Sequence, residues 1–172
     1  TTKIAAIQMV STSSLQHNLD SAARLIKLAA EQGAKLVLLP EVFAVLEGGP
    51  MAEFAEVEGS GPIQEFLSKQ ACENRLTVVG GTIPLLTRPG MSEKDEGGVL
   101  EDGRVRPACL VYDDQGRQIA RYDKIHLFDV AVDDNQSEYS ESRSYEAGDE
   151  VICIDTDVAK LGLTICYDMR FP

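Results

Sequence analysis

Residues 35–40 have the sequence KLVLLP, an apolar run bounded by a proline. Its apolar residues are consecutive rather than alternating, which predicts a strand buried on both faces in the interior of a layered sheet. Just upstream, Gly33 is suited to the left-handed conformation that ends a helix. Apolar residues at three- and four-residue steps predict that helix, with Ser13 or Ser14 as its cap. Residues 3–10, KIAAIQMV, predict a first strand, so the segment predicts a β-α-β unit.

The rest of the chain continues this alternation. A helix is predicted over residues 62–75, with a proline at its first position, and a strand over residues 76–84. Residues 86–107 are rich in Gly, Pro and charge, which predicts an exposed loop that closes a hairpin, with disorder as the alternative. Four later strands are predicted, around a polar surface excursion at 129–150: residues 107–113, 117–123, 151–155 and 160–166. The pattern predicts an α/β fold with a mixed sheet covered by helices.

Composition limits the kind of protein. The chain has 172 residues, of which 44% are hydrophobic, and this predicts a single domain over residues 1–172. The formal net charge of −12 argues against nucleic acid and anionic membranes as partners. No apolar stretch approaches the ~20 residues that cross a bilayer, and the sequence TTKIAAIQMV lacks the layout of a signal peptide. We therefore expect a cytoplasmic protein.

The cysteines and histidines restrict its chemistry. The four cysteines form no CxxC pair and no zinc-like spacing, which predicts free thiols in a reducing compartment: Cys72, Cys109, Cys153 and Cys166. His17 and His126 are the only histidines, and this excludes a histidine-rich metal site. We expect no metal and no cofactor.

Three reactive residues follow or end predicted strands, where crevices of α/β proteins open. They are Glu41, Lys124 and Cys166. A cysteine, with an ordinary pKa of about 8.5, needs a base or a nearby cation to attack a carbonyl at neutral pH. Glu41 is suited to accept its proton, while the Lys124 ammonium and the backbone N–H of Tyr167 are suited to stabilise an oxyanion.

Three segments resemble a known family. LLPEVF at 38–43, YDKIHLFD at 122–129 and GLTICYDMRFP at 162–172 resemble, in order, the signature segments of the nitrilase superfamily of carbon–nitrogen hydrolases. The resemblance implies a glutamate base, a lysine that stabilises the intermediate and a cysteine nucleophile, the roles inferred above. It also implies an α-β-β-α sandwich with mixed sheets, of which this chain would be the N-terminal part, and dimerisation through helical faces.

Within the superfamily, KIHLFD at 124–129, the ES loop after it and CYDMRFP at 166–172 most resemble the Nit branch of amidases. The stretch SESRSYEAGD is similar to the one that carries a second glutamate, which points to Glu141, with Glu138 and Glu146 as alternatives. Its implied role is to hydrogen-bond the lysine and position the substrate. The branch implies release of ammonia from a small carboxylated amide, as in deaminated glutathione amidase or omega-amidase. Arg170 is a candidate clamp for the substrate carboxylate, unless it pairs with Asp168.

Other functions stay open at this point. The chain could be another hydrolase of the superfamily, such as an N-carbamoyl amino acid amidohydrolase or an aliphatic amidase. It could use His126 as the base of a Cys-His hydrolase, although packing beside Lys124 is favoured for that histidine. It could also be a non-catalytic interaction protein. Superfamily members generally continue beyond the cysteine segment, so we expect the working protein to be longer, and a homodimer or higher homo-oligomer.

Overall fold

The computed structural model describes residues 2–46, 51–130 and 139–172. Within these ranges it contains two α-helices and ten short strands, namely β1 (Lys3–Ala6), α1 (Leu15–Glu31), β2 (Ala34–Leu38), α2 (Pro62–Asn74), β3 (Thr77–Val79), β4 (Ile83–Leu85), β5 (Arg106–Tyr112), β6 (Gln118–Asp123), β7 (Asp129–Val130), β8 (Tyr139–Ser140), β9 (Cys153–Asp155) and β10 (Lys160–Gly162). Short 3₁₀ helices occupy Met51–Phe54, Glu141–Arg143 and Cys166–Arg170. No helix of the described ranges is long and apolar enough to cross a membrane.

A six-stranded mixed sheet is the centre of the fold. Strands β1, β2 and β3 are parallel, and α1 and α2 provide the crossovers that parallel pairing requires. Strand β5 is antiparallel to β3 and β4 on one side and to β6 on the other. The predicted β-α-β units, hairpin and mixed sheet are confirmed.

The predicted single strand over residues 76–84 is wrong, because two glycines interrupt it. Val79 pairs with Val111 and Ile83 pairs with Ala108, so the β3–β4 side has one more residue between these pairs than β5 has. This is a β-bulge. At its centre Gly81 has φ +58°, and a Cβ built there would lie 2.0 Å from the Pro40 carbonyl oxygen. Only glycine permits this approach of the bulge to the residue before Glu41.

Both helices begin at the predicted signals, and α1 ends at its predicted glycine. The Ser14 hydroxyl accepts a hydrogen bond from the His17 N–H at the start of α1, and Gly33 beyond its end has φ +87°. Pro62 is the first residue of α2, and Arg75 ends it with φ +53°. The buried residues of α1 recur at three- and four-residue steps, as expected for a helix that packs one face on a sheet: Asn18, Leu19, Ala22, Ile26 and Ala29.

The sheet buries a different apolar cluster on each face. Val37 and Val78 face the helices, where they pack with Ile26 and Leu67, whereas Leu36 and its neighbours face the opposite side. Alternate residues of a strand point to opposite faces, so consecutive apolar residues supply both clusters. Burial of one such side chain stabilises the fold by roughly 1.5–3 kcal/mol. The interior position predicted for KLVLLP is confirmed for β2, although Leu38 at its end is 45% exposed.

A small antiparallel pair, β9 and β10, lies over the second cluster, with Leu161, Leu163 and Ile165 contributing to it. Helices, six-stranded sheet and β9–β10 pair form three consecutive layers of the predicted α-β-β-α order. The described ranges contain no helix on the outer side of the pair. The prediction of a strand that continues to Cys166 is wrong: β10 ends at Gly162, and a 3₁₀ helix begins at Cys166.

Both long connections contain hydrogen-bonded pairs of segments. The Arg88 N–H donates to the Gly98 carbonyl and the Leu100 N–H to that of Leu86, so residues 86–107 close a hairpin as predicted. In the second connection β7 pairs with β8. The segment between them, 131–138, lies outside the described residues, as does the alternative site residue Glu138.

Candidate active site

Lys124 is the centre of the site. It follows β6 and is only 1% exposed. Its Nζ lies 3.2 Å from Glu41 Oε1, and 3.0 Å and 2.9 Å from the two carboxylate oxygens of Glu141. The fold therefore brings together two carboxylates and one cation from three separate connections.

The two carboxylates keep the Lys124 ammonium charged. Burial by itself would lower the pKa of Lys124, because desolvation disfavours the charged form. The hydrogen bond to Glu141 and the negative charges of Glu41 and Glu141 outweigh burial, and the net pKa is raised. A lysine in this state supplies a fixed positive charge and acts poorly as a base.

Glu41 lies in a turn that the bulge supports. The turn directly follows β2, and its next residue, Val42, has φ +49° although it is β-branched. Val42 donates its N–H to the Thr82 hydroxyl at 2.8 Å. On the other side of the turn, the buried Asn18 amide donates to the Ala44 carbonyl at 2.8 Å. An unfavourable backbone conformation held by surrounding hydrogen bonds is typical of a functional turn.

Glu141 is oriented by the backbone. It begins the short 3₁₀ helix Glu141–Arg143, and its Oε2 accepts the Phe128 N–H at 2.8 Å while its carboxylate contacts Lys124. The alternative Glu146 is bound instead by arginines, with Arg88 Nε at 2.8 Å and Arg106 as a further partner. Of the two described candidates, the structure brings Glu141 to Lys124.

Cys166 presents an exposed thiol from an unusual backbone conformation. It is the first residue of its 3₁₀ helix and has φ +47°, a region that non-glycine residues rarely adopt. Burial is the largest cause that raises the pKa of the thiol, and the Glu41 carboxylate raises it further by charge and by a hydrogen bond. The positive charge of Lys124 acts in the opposite direction. The charges of Glu41 and Lys124 therefore shift the pKa of Cys166 in opposite directions.

Aromatic rings surround the residues that follow Cys166. Tyr167 packs edge-on against Phe128 and Phe171, with ring centroids 5.0 Å and 5.2 Å apart. The His126 ring stacks on Phe171, and its Nδ1 lies 2.8 Å from Asp168. These contacts support the packing role predicted for His126. The other candidate of this segment, Arg170, is exposed at the end of the 3₁₀ helix.

A cavity of about 460 Å³ opens beside Glu41 and Cys166, between the main sheet and the β10 segment. Its walls are largely aliphatic, and Glu41 is the one charged residue among the described residues that line it. Arg170 does not line it. A cationic contact to a substrate carboxylate would therefore come from outside this cavity.

Sequence reasoning missed three supporting polar residues. Asn18 and Thr82 hold the Glu41 turn, and Asp168 accepts hydrogen bonds from both the Lys124 and the Cys166 segments. For Asn18 the signal was a polar residue on the apolar face of a predicted helix. For Asp168 it was a carboxylate two residues after Cys166, within the same signature segment.

Comparison with protein families decides the relationship. The family model described as carbon-nitrogen hydrolase matches residues 3–172. The chain belongs to the carbon–nitrogen hydrolase family. The resemblance found in the sequence is thereby confirmed.

Several relatives of the family are Nit-type amidases. The chain is 36% identical to human omega-amidase NIT2 over 170 residues, which are 98% of this chain and 56% of that protein. It is 31% identical to deaminated glutathione amidase of Yersinia enterocolitica over 170 residues, 98% of this chain and 55% of that protein. The chain thus spans about half the length of the curated relatives it matches.

Solved structures agree on the fold. Nit3 of Saccharomyces cerevisiae, a member of branch 10 of the nitrilase superfamily, matches with a TM-score of 0.75 and 28% identity, covering 99% of this chain and 57% of that one. The C. elegans NitFhit protein matches with a TM-score of 0.76 and 27% identity, covering 98% and 38%. The predicted nitrilase-like fold class is confirmed.

Proposed function

We propose that this chain carries the catalytic residues of an amidase that hydrolyses a small carboxylated amide through a Cys166 thioester. The observation that supports it most directly is the contact of buried Lys124 with both Glu41 and Glu141 beside the exposed Cys166 thiol. In this proposal Glu41 is the general base and Lys124 the fixed cation. Glu141 holds Lys124 and faces the substrate.

The first half of the reaction forms the thioester. Glu41 accepts the thiol proton as Cys166 Sγ attacks the amide carbon, and the carbonyl π electrons move to oxygen. The Lys124 ammonium and the backbone N–H of Tyr167 stabilise this oxyanion. When the tetrahedral intermediate collapses, the C–N bond breaks. The nitrogen takes the proton from Glu41 and leaves as ammonia.

The second half releases the acid. Glu41 accepts a proton from water, and the resulting hydroxide adds to the thioester carbonyl at the same oxyanion position. Collapse breaks the C–S bond and expels the Cys166 thiolate, which recovers its proton from Glu41. Neither half changes an oxidation state, and the proposal uses no metal or organic cofactor.

The substrate class rests on the relatives and on charge. The matched proteins include an omega-amidase and a deaminated glutathione amidase, so we propose a carboxylated amide of that type for this chain. An anionic substrate must approach a protein of net charge −12, and exposed Arg170 is the proposed local cation. A guanidinium is suited to a bidentate contact with a carboxylate.

Release of ammonia tests the proposal. The chain is offered deaminated glutathione, α-ketoglutaramate and N-carbamoyl amino acids, and we expect release from one of the first two. Cys166→Ala should abolish release, whereas Cys72→Ala, which removes another exposed free thiol, should leave it unchanged. Equal release by Cys166→Ala and the native chain would refute the mechanism. Preference for the carbamoyl compounds would favour the amidohydrolase alternative.

Two further variants separate the catalytic alternatives. The proposal expects Glu41→Gln to abolish turnover and His126→Ala to leave measurable turnover. The reverse result would support a Cys-His hydrolase instead. Release by no form of the folded full-length protein with any of the three substrate types would favour the non-catalytic interaction protein.

Assembly and location complete the proposal. We propose a homodimer or higher homo-oligomer, to be checked by the mass of the native species in solution. We propose a cytoplasmic location because all four cysteines are free and one is the nucleophile, which a reducing compartment protects. Fractionation of source cells with an antibody to the chain would check the location.

A further inference from the structure

Asp168 is a buried carboxylate with all its acceptor positions used. It is 5% exposed, and Oδ1 accepts the backbone N–H of His126 at 2.8 Å and contacts His126 Nδ1 at the same distance. Its Oδ2 accepts the Tyr122 hydroxyl at 2.5 Å and the Ile165 N–H at 2.9 Å. These hydrogen bonds lower the pKa of Asp168 although burial alone would raise it.

The three residues that supply these four contacts lie on both sides of the site. Tyr122 and His126 flank Lys124, two residues before and two after it, while Ile165 directly precedes Cys166. Asp168 also returns its own N–H to the Ile165 carbonyl at 3.0 Å, which closes the turn at Cys166. One carboxylate thus connects the Tyr122 side chain before the cation and the His126 backbone after it to the backbone next to the thiol.

We infer that Asp168 is the positioning residue that fixes the Cys166 turn relative to the Lys124 segment. The inference rests on the proposed function in taking Cys166 as nucleophile and Lys124 as the cation that acts on it. Asp168 itself contacts neither reacting group. It keeps the Lys124 ammonium at a constant distance from Cys166 Sγ.

An amide cannot replace this carboxylate without displacing one side. In Asp168→Asn, one orientation of the amide NH₂ faces the His126 backbone N–H and the other faces the Ile165 backbone N–H. Either orientation places two N–H donors opposite each other, so the side chain loses its hydrogen bond to one of these two backbone groups. The variant keeps the size of the side chain and removes the connection.

A double-mutant cycle measures the connection without turnover. The rate of Cys166 alkylation by iodoacetamide is followed against pH by peptide mass in the native chain, Lys124→Met, Asp168→Asn and the double variant. Removing the Lys124 charge should raise the pKa of Cys166 and slow alkylation at pH 8 by about tenfold in the native background. In the Asp168→Asn background we expect this effect to fall below about threefold. Cys72 and Cys153, both exposed, are controls within the same molecule.

Glu56→Gln is the matched control. Glu56 is 6% exposed and likewise accepts two backbone N–H groups, from Ile63 and Gln64, but it contacts neither Lys124 nor Cys166 segments. Its variant should retain the tenfold effect. If Asp168→Asn does not fold, Tyr122→Phe, which removes one of the four bonds, should show a reduced effect.

If Lys124→Met slows Cys166 alkylation equally in the native and Asp168→Asn backgrounds, this inference is overturned and the proposed function is not. Tyr122→Phe replaces Asp168→Asn in this comparison if that variant does not fold. The inference would also be overturned if Glu56→Gln reduced the effect of Lys124→Met on alkylation as much as Asp168→Asn does. A general loss of rigidity in the protein would then explain both results. Absence of any Lys124 effect in the native chain would overturn both the inference and the proposed function.

Discussion

Lys124 Nζ lies 3.2 Å from Glu41 Oε1 although 83 residues separate the two in sequence. The contact exists because β2, which precedes Glu41, and β6, which precedes Lys124, belong to one sheet. Glu141 approaches the same ammonium from a third connection. Two partly exposed carboxylates thus share one buried cation, an arrangement that is stable only while the cation is present.

Removal of the cation should destabilise the protein. Lys124→Met leaves Glu41 and Glu141 facing each other, and we expect the free energy of unfolding to fall by about 2 kcal/mol, reduced from the value for fully buried pairs because both carboxylates are partly exposed. Adding Glu141→Gln should restore about half of the loss. Urea denaturation measures both changes. The control Lys69→Met breaks an exposed pair with Glu73 and should change stability by less than about 0.5 kcal/mol.

The sequence predicts the elements well and their fine geometry poorly. Apolar periodicity and capping signals are local, so α1, α2 and β5 lie where they were predicted. The bulge at Gly81 depends on the approach of the Pro40 carbonyl from the segment that follows β2, and no local pattern encodes it. The same holds for Asp168, whose partners lie more than 40 residues away at Tyr122 and His126.

Gly81→Ala should destabilise the protein more than the same substitution at a glycine that also has positive φ but has free space around it. The new methyl group would lie 2.0 Å from the Pro40 oxygen, so we expect a loss of stability of about 3 kcal/mol and displacement of Glu41, the next residue. The control Gly90→Ala has φ +69° and nothing within 4 Å of the added methyl. Gly90→Ala should lower the free energy of unfolding by about 1 kcal/mol. Equal losses in thermal unfolding would contradict the proposed approach of bulge and turn.

Replacement of Glu41 should separate thiol reactivity from turnover. Because the Glu41 charge raises the pKa of Cys166, Glu41→Gln should lower that pKa and speed alkylation by iodoacetamide near pH 8. The same variant should lose ammonia release, since its amide cannot accept the thiol proton. Glu141→Gln should change the thiol pKa less, because Glu141 is the weakest of the causes that raise it. A larger shift in Glu141→Gln than in Glu41→Gln would contradict this order.

Cys109 should make the protein less stable in alkali. Burial raises the pKa of its thiol to about 12, whereas the unfolded chain ionises near its ordinary value of about 8.5. The folded form therefore binds the proton more tightly, so the stabilisation is complete below pH 8.5 and is lost as the pH rises towards 12. Between pH 7.5 and 9.5 this thiol alone should lower the free energy of unfolding by about 1.4 kcal/mol. Urea denaturation of native and Cys109→Ala chains at both pH values isolates the contribution of the Cys109 thiol to this change. The alanine variant should lose about 1.4 kcal/mol less over this range, and an identical pH dependence in the two chains would show that the thiol ionises equally in both states.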